Sequence, residues 1–353
     1  MTIRYASIKA VILIVAGMLA LCLYFAGCDD NPIEPKPAKD YPAYFLDCYH
    51  EEANWYFVYH PTTNTVDSFW LPYRLPPFIS ADGQKMYVTA GTPTDHTDVL
   101  NLDSMAVIDQ FPYLGTISFS PDNRLLAVSG DSLVILNTSG YSVVFQDTTS
   151  MYHGAFSSNS KRFYGAPRAG GVYILDLSDP SFSVKRLSVP FGAVRHVAPS
   201  IDETKLFLYL QRPWFYHFGV FAVYDMVADS LIFSDTLWSG CGELEPTPDG
   251  RYVFYTNPGD SYGFGGSPWL TIYDIQQNAI LSTISTVGIL EYPYEYGIPL
   301  SEICISPDGK WLTAIGYRFV LSLDIRRMKF VNHIMLDGPK NLWGLSCQNS
   351  PWE

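Results

Sequence analysis

A chain of 353 residues is long enough to bury a sizeable core, and its 35 acidic against 22 basic residues give a net charge of −13. That charge repels nucleic-acid phosphates and anionic lipid surfaces, which excludes both as main partners. Charged residues make up only 16% and aromatics 15%, with 26 glycines and 25 prolines, a composition that excludes a disordered or helical body and points to an all-β one.

At the N-terminus, Arg4 and Lys9 precede an apolar run from Ala10 to Phe25, which gives way through Ala26-Gly27-Cys28 to Asp29-Asp30. That is the profile of a secretory signal. The run is shorter than the roughly 20 residues of a spanning helix, so an uncleaved membrane anchor is the less natural rival. Phe25-Ala26-Gly27-Cys28 resembles the lipobox of bacterial lipoproteins, with phenylalanine where leucine is usual. The resemblance implies removal of residues 1–27, lipidation of Cys28, and a place in the bacterial cell envelope, on the outer or inner membrane, periplasmic or surface-facing. The lipid anchor would be the protein's sole contact with the membrane. Loss of Arg4 and Lys9 leaves 20 basic residues against 35 acidic, a net charge of −15. Residues 28–41, with Pro32, Pro35 and Pro37, read as a semi-extended tether. Residues 42–353 read as the folded body.

Along that body one segment recurs in six copies, centred on Asp82, Asp122, Asn159, Asp202, Asp249 and Asp308, spaced 40, 37, 43, 47 and 59 residues apart. Its fullest form is Ser306-Pro307-Asp308-Gly309. Proline fixes φ, the aspartate bonds its own backbone, and glycine takes positive φ, so the segment makes a tight hairpin turn. Apolar or alternating runs flank each turn as strands, and a second strand pair follows, as in 132–145 and 269–281. Each unit is therefore a four-stranded antiparallel meander of about 40–45 residues, the length of a propeller blade. The ends, 44–48 and 55–69 on one side and 342–347 on the other, read as parts of one further blade, whose sharing closes a seven-bladed ring.

These units resemble the YVTN-type, YncE-like propeller repeats of the broad WD40-like superfamily, and to a lesser degree the TolB-type repeats, over nearly the whole body. The resemblance implies an all-β, seven-bladed β-propeller and names no activity, because propellers host enzymes, ligand binders and platforms alike.

Beyond Cys22 and Cys28, the cysteines are Cys48, Cys241, Cys304 and Cys347. Export permits disulfides among them in any of three complete pairings, and their spacing fits no zinc pattern. Candidate binding residues lie in the long connections 212–218, 258–269 and 287–297, which open on one face. They are Trp214, Tyr216, His217, Tyr262, Phe264, Trp269, Glu291, Tyr292, Tyr294 and Glu295. Clustered exposed rings offer a large contact area at low entropy cost.

Gly259-Asp260-Ser261-Tyr262-Gly263 has nucleophile-elbow spacing but lacks the strand-to-helix context. Gly263-Phe264-Gly265-Gly266 likewise lacks the βαβ unit of a dinucleotide site. His96, within Asp95-His96-Thr97-Asp98, lacks third and fourth metal ligands. Arg195-His196 lies on a strand expected to line the channel and reads as a satisfied structural pair. No catalytic residue, metal or cofactor is assigned.

The first expectation is a monomeric, envelope-anchored, non-enzymatic propeller that binds a protein or glycan partner through the aromatic loop face. The alternative is a lactonase-like or quinoprotein-like propeller enzyme with its site at the channel mouth. The two part at the channel, where converging carboxylate, histidine and arginine side chains would count against the first.

Overall fold

The computed structural model describes residues 40–47, 55–73, 75–90, 96–190, 192–211, 219–237, 243–257, 269–287, 289, 300–316, 318–336 and 342–347. The lipobox, Cys28 and the tether as far as residue 39 lie outside the described residues. The body, Asp40–Glu353, is one compact unit. Its 28 described strands form seven four-stranded antiparallel sheets. Six of these take their strands in chain order, as a meander of local hairpins requires. The seventh, blade 1, sets the C-terminal strand Leu342–Cys347 beside the N-terminal strand Ala43–Asp47, followed by Trp55–His60 and Thr65–Trp70. The ring closes by this sharing, as the repeat predicts, and among the described residues there is no α-helix.

The six repeat turns share one local chemistry. In each, the residue after the aspartate or asparagine takes positive φ: Gly83, Asn123, Ser160, Glu203, Gly250 and Gly309, with φ between 56° and 68°. Its N–H donates to the carbonyl three residues back, as from Gly309 to Ser306 at 2.8 Å. The turn hydroxyl donates to the side-chain oxygen two residues on, Ser306 to Asp308 at 2.8 Å, Thr247 to Asp249 at 2.5 Å and Ser157 to the Asn159 amide at 2.9 Å. It also accepts the first N–H of the next strand, Trp311 N–H at 2.9 Å in blade 7. A β-turn ending in a left-handed residue joins antiparallel strands with the correct twist. The turn sequence thus fixes where each inner hairpin reverses.

The core is not a single ball. Seven apolar clusters occur, each spanning one pair of adjacent blades. Alternating residues of a strand point to opposite faces, so Tyr56 packs toward blade 2 and Phe57 toward blade 7. Both faces of the middle strands are therefore apolar, which accounts for runs such as Leu206-Phe207-Leu208-Tyr209-Leu210, all buried. The outer strand of blade 7, Lys329–Met335, alternates exposed and half-buried positions. The innermost strands surround the axis.

Candidate functional site

The inner strands are Leu342–Cys347 in blade 1, Pro77–Ile79, Thr116–Phe119, Met151–Phe156, Ala193–Pro199, Leu244–Pro246 and Glu302–Ile305 in blades 2 to 7. Their side chains follow a fixed frame counted back from the turn hydroxyl. Ile117, Gly154, Val197, Leu244 and Ile303, three positions before it, are buried between blades. Thr116, His153, His196, Glu243 and Glu302, four before it, are half-buried. So are Phe78, Ser118, Ala155 and Glu245, two before it. These two positions share one strand parity and face the axis, where residues of six inner strands line a cavity of about 280 Å³.

The two histidines occupy equivalent positions in blades 4 and 5. Each follows an extra residue that breaks the strand register, Tyr152 before His153 and Arg195 before His196. Such a bulge re-aims the side chains around it. Here it brings the imidazoles into a stack, ring centroids 3.6 Å apart and planes 23° from parallel. It also sets the Arg195 guanidinium 3.8 Å over the Tyr152 ring, while Arg195 Nε–H donates to Gln211 Oε1. Burial pushes the His153 pKa down to about 4, against a backbone hydrogen bond with Val197. Burial, and then the neighbouring His153, hold His196 well below the ordinary histidine range. Both rings are neutral at pH 7, and neither Nδ1 has a hydrogen-bond partner. Ser118 Oγ in the same wall has none either.

On the blade 6 side the wall is acidic. Burial pushes the Glu245 carboxyl up to about 8. Burial, and then repulsion from Glu302 and Glu245, raise Glu243 well above the carboxylate range, although its Oε2 accepts the Ile303 N–H at 2.8 Å. The same kind of contact continues round the ring. Glu302 Oε2 accepts the Leu345 N–H, and Ser346 Oγ accepts the Ile79 N–H at 3.1 Å. Inner-strand side chains therefore stitch blade 6 to 7, 7 to 1 and 1 to 2 through backbone donors. Chemically, the cavity holds neutral imidazoles and carboxyls that carry their protons into the neutral range, both able to donate and accept.

Of the residues expected from sequence to bind, Trp269 begins the third strand of blade 6 and is half exposed. Trp214, Tyr216, His217, Tyr262, Phe264, Glu291, Tyr292, Tyr294 and Glu295 lie outside the described residues. So do the 259–263 and 263–266 motifs. Arg195 is satisfied as expected, but His196 Nδ1 has no hydrogen-bond partner, its ring lying against His153 of the preceding blade. His96 begins a strand, its Nε2 3.2 Å from Asp98 Oδ1, and Tyr73 Oη–H donates to Asp98 Oδ2 at 2.6 Å. Among the described residues no group of three or more His, Cys, Asp or Glu is arranged to hold a metal ion. Cys304 is disulfide-bonded.

His153, Glu243, Glu245 and Glu302 escaped the sequence reading. Their signal was the frame itself, since polar residues four and two places before a turn hydroxyl stand out against apolar neighbours.

No protein-family model matches the sequence, and no curated protein matches it. Solved structures do match in fold. A chain of hydrazine synthase from Kuenenia stuttgartiensis aligns with a TM-score of 0.59 at 14% identity, over 75% of this chain and 88% of that one. The β-propeller domain of Cps50 (Swd1) from Myceliophteria thermophila gives 0.56 at 13%, over 75% and 86%. Dihydro-heme d1 dehydrogenase NirN, in complex with DHE, gives 0.56 at 14%, over 88% and 75%. At such identities the likeness carries the fold alone: this chain is a seven-bladed β-propeller whose blades are four-stranded.

Proposed function

We propose that this propeller is the receptor body of an exported, lipid-anchored envelope protein, and that it binds a small polar ligand in its central channel. The observation that carries this reading is the cavity wall, where His153, His196 and Ser118 each hold a buried polar atom without a partner. Such atoms cost folding free energy unless something answers them. Nothing in the packing of seven blades needs them there. The expectation from sequence placed a protein or glycan partner on the aromatic loop face. The converging histidines and carboxyls of the channel favour a ligand on the axis instead.

A screen of polar metabolites by thermal shift tests this. Hits should lose their stabilising effect in His196→Ala and Glu245→Gln and keep it in Trp269→Ala. Hits that respond to Trp269→Ala alone would return the site to the loop face. Metabolic labelling with palmitate should label the wild type and spare Cys28→Ser, and equal labelling of both removes the lipid anchor.

An enzymatic reading has one specific support, the presence in one wall of a carboxyl that keeps its proton to about pH 8 and imidazoles that stay neutral. Such a division of protonation states suits general acid–base chemistry. Incubating a channel-binding hit with the protein and following its mass separates the two readings. Turnover of the hit by the wild type makes the protein an enzyme, and an unchanged ligand makes it a receptor.

A further inference from the structure

The charge character of the cavity narrows its ligand. Glu243 and Glu245 are in its wall, and no lysine or arginine is among its described lining residues. Glu302, one blade on, adds a third carboxyl that acts electrostatically on Glu243. The nearest cation on these inner strands, Arg195, is engaged by Gln211 and Tyr152. The same wall carries, on blades 3 to 5, two imidazoles without a charge and the Ser118 hydroxyl, their buried atoms unpartnered. An unprotonated imidazole nitrogen, a hydroxyl oxygen and a carboxylate are all hydrogen-bond acceptors. Phe78, Ala155 and Leu345 contribute apolar surface to the same cavity.

An anion entering this space meets no cation among the described lining residues, and it repels any carboxyl that ionises there. A purely apolar molecule leaves the carboxyls and imidazoles unanswered. A primary ammonium brings three donors and one positive charge on an apolar body. The cavity, at about 280 Å³, lies at the lower edge of the roughly 300–1,000 Å³ range of small-molecule sites, so the body must be small.

We propose that the channel takes a small primary alkylammonium, its nitrogen set against Glu243 and Glu245 and its remaining donors directed to Ser118 and the His153–His196 pair. This rests on the channel reading above. Because burial keeps Glu245 protonated to about pH 8, the incoming cation ionises a carboxyl and a proton leaves to solvent. An alkylammonium of the lysine kind keeps its own proton to about pH 10. Affinity should therefore rise with pH between 6 and 8, by up to tenfold per unit. The groups that face this exchange are Glu243, Glu245, Glu302, His153 and His196.

The test uses three matched probes, cyclohexylmethylamine, cyclohexylmethanol and cyclohexanecarboxylate, titrated calorimetrically into the mature protein. The amine should bind at least tenfold more tightly than the alcohol, and the carboxylate should not bind. Binding heats should differ between phosphate and Tris buffers by the amount that proton release requires, a readout that needs no variant. Glu245→Gln, which mimics the protonated acid and spares the fold, should weaken the amine at least tenfold and abolish the buffer dependence. Alcohol or carboxylate binding as tight as the amine and sensitive to His196→Ala overturns the cation and leaves the channel site standing. Tighter Glu245-dependent binding of Ca²⁺ or Zn²⁺ than of the amine overturns it equally. Should none of the probes bind in a way that channel variants alter, the alkylammonium falls, and the channel reading is decided by the metabolite screen.

Discussion

The imidazoles of His153 and His196, one from each of two adjacent blades, stack at 3.6 Å between ring centroids. Two protonated rings at that separation would repel strongly, and burial already disfavours charge on either. The stack therefore exists only in the neutral state.

Acid should unfasten it. With His153 at about 4 in the folded protein against an ordinary 6.5, and His196 also held well below its ordinary value, the unfolded chain takes up protons below pH 6.5 that the folded chain refuses. The stability that these groups contribute is fully present above pH 6.5. It is lost as pH falls through that value toward 4, by about 1.4 kcal/mol per pH unit for each ring. Urea unfolding of His196→Gln at pH 6.5, 5.5 and 4.5 should show an acid loss smaller than that of the wild type by about this slope. Parallel curves for the two proteins would remove the assignment.

Glu245 acts in the opposite direction. Its folded pKa of about 8 lies above its ordinary 4.5, so between these values the unfolded chain is ionised while the folded chain holds a proton. Stability from this group falls as pH rises from about 4.5 to 8, again by about 1.4 kcal/mol per unit, and then levels. Glu245→Gln has no proton to lose. The stability of the variant relative to wild type should rise across that window in urea titrations at pH 5, 6, 7 and 8. A constant difference would mean that Glu245 is ionised in the folded protein.

Gly154, next to His153 on the inner strand of blade 4, has room for hydrogen only. A Cβ there would come within 2.0 Å of the Phe163 ring, itself buried and packed edge-on against Phe156 at 5.3 Å. Gly154→Ala should destabilise the protein by about 1–3 kcal/mol, the usual cost of overpacking. Unchanged unfolding by urea would show that Phe163 yields freely.

Closure of the ring can be probed at Ser346, whose hydroxyl accepts the Ile79 N–H across the boundary of blades 1 and 2. Ser346→Ala leaves that donor facing the blade interface and should cost about 1–3 kcal/mol. Amide exchange at Ile79 should quicken in the same variant. Protection at Ile79 equal to that of the wild type would show that another acceptor takes over.

Much of the architecture was legible because it is written locally. Asp308 and Gly309 make their turn with atoms a few residues away, so the turn and the hairpin around it follow from sequence wherever the segment recurs. The count of six turns and the strand-like ends at 44–48 and 342–347 then required a shared seventh blade. What could not be read locally was which polar side chains meet. Glu245 and Cys304 stand at the same place in the repeat, yet one faces a cavity and the other packs between blades 1 and 7.

By itself, then, the sequence determined the blades, their number and the position of each inner hairpin, because turn chemistry and strand alternation act over a few residues. Only the tertiary structure decided that His153 stacks on His196 and that Glu243 and Glu245 share their cavity. Their chain separations are 43 and 90 residues, and ring closure together with two register-breaking bulges brings them to one axis.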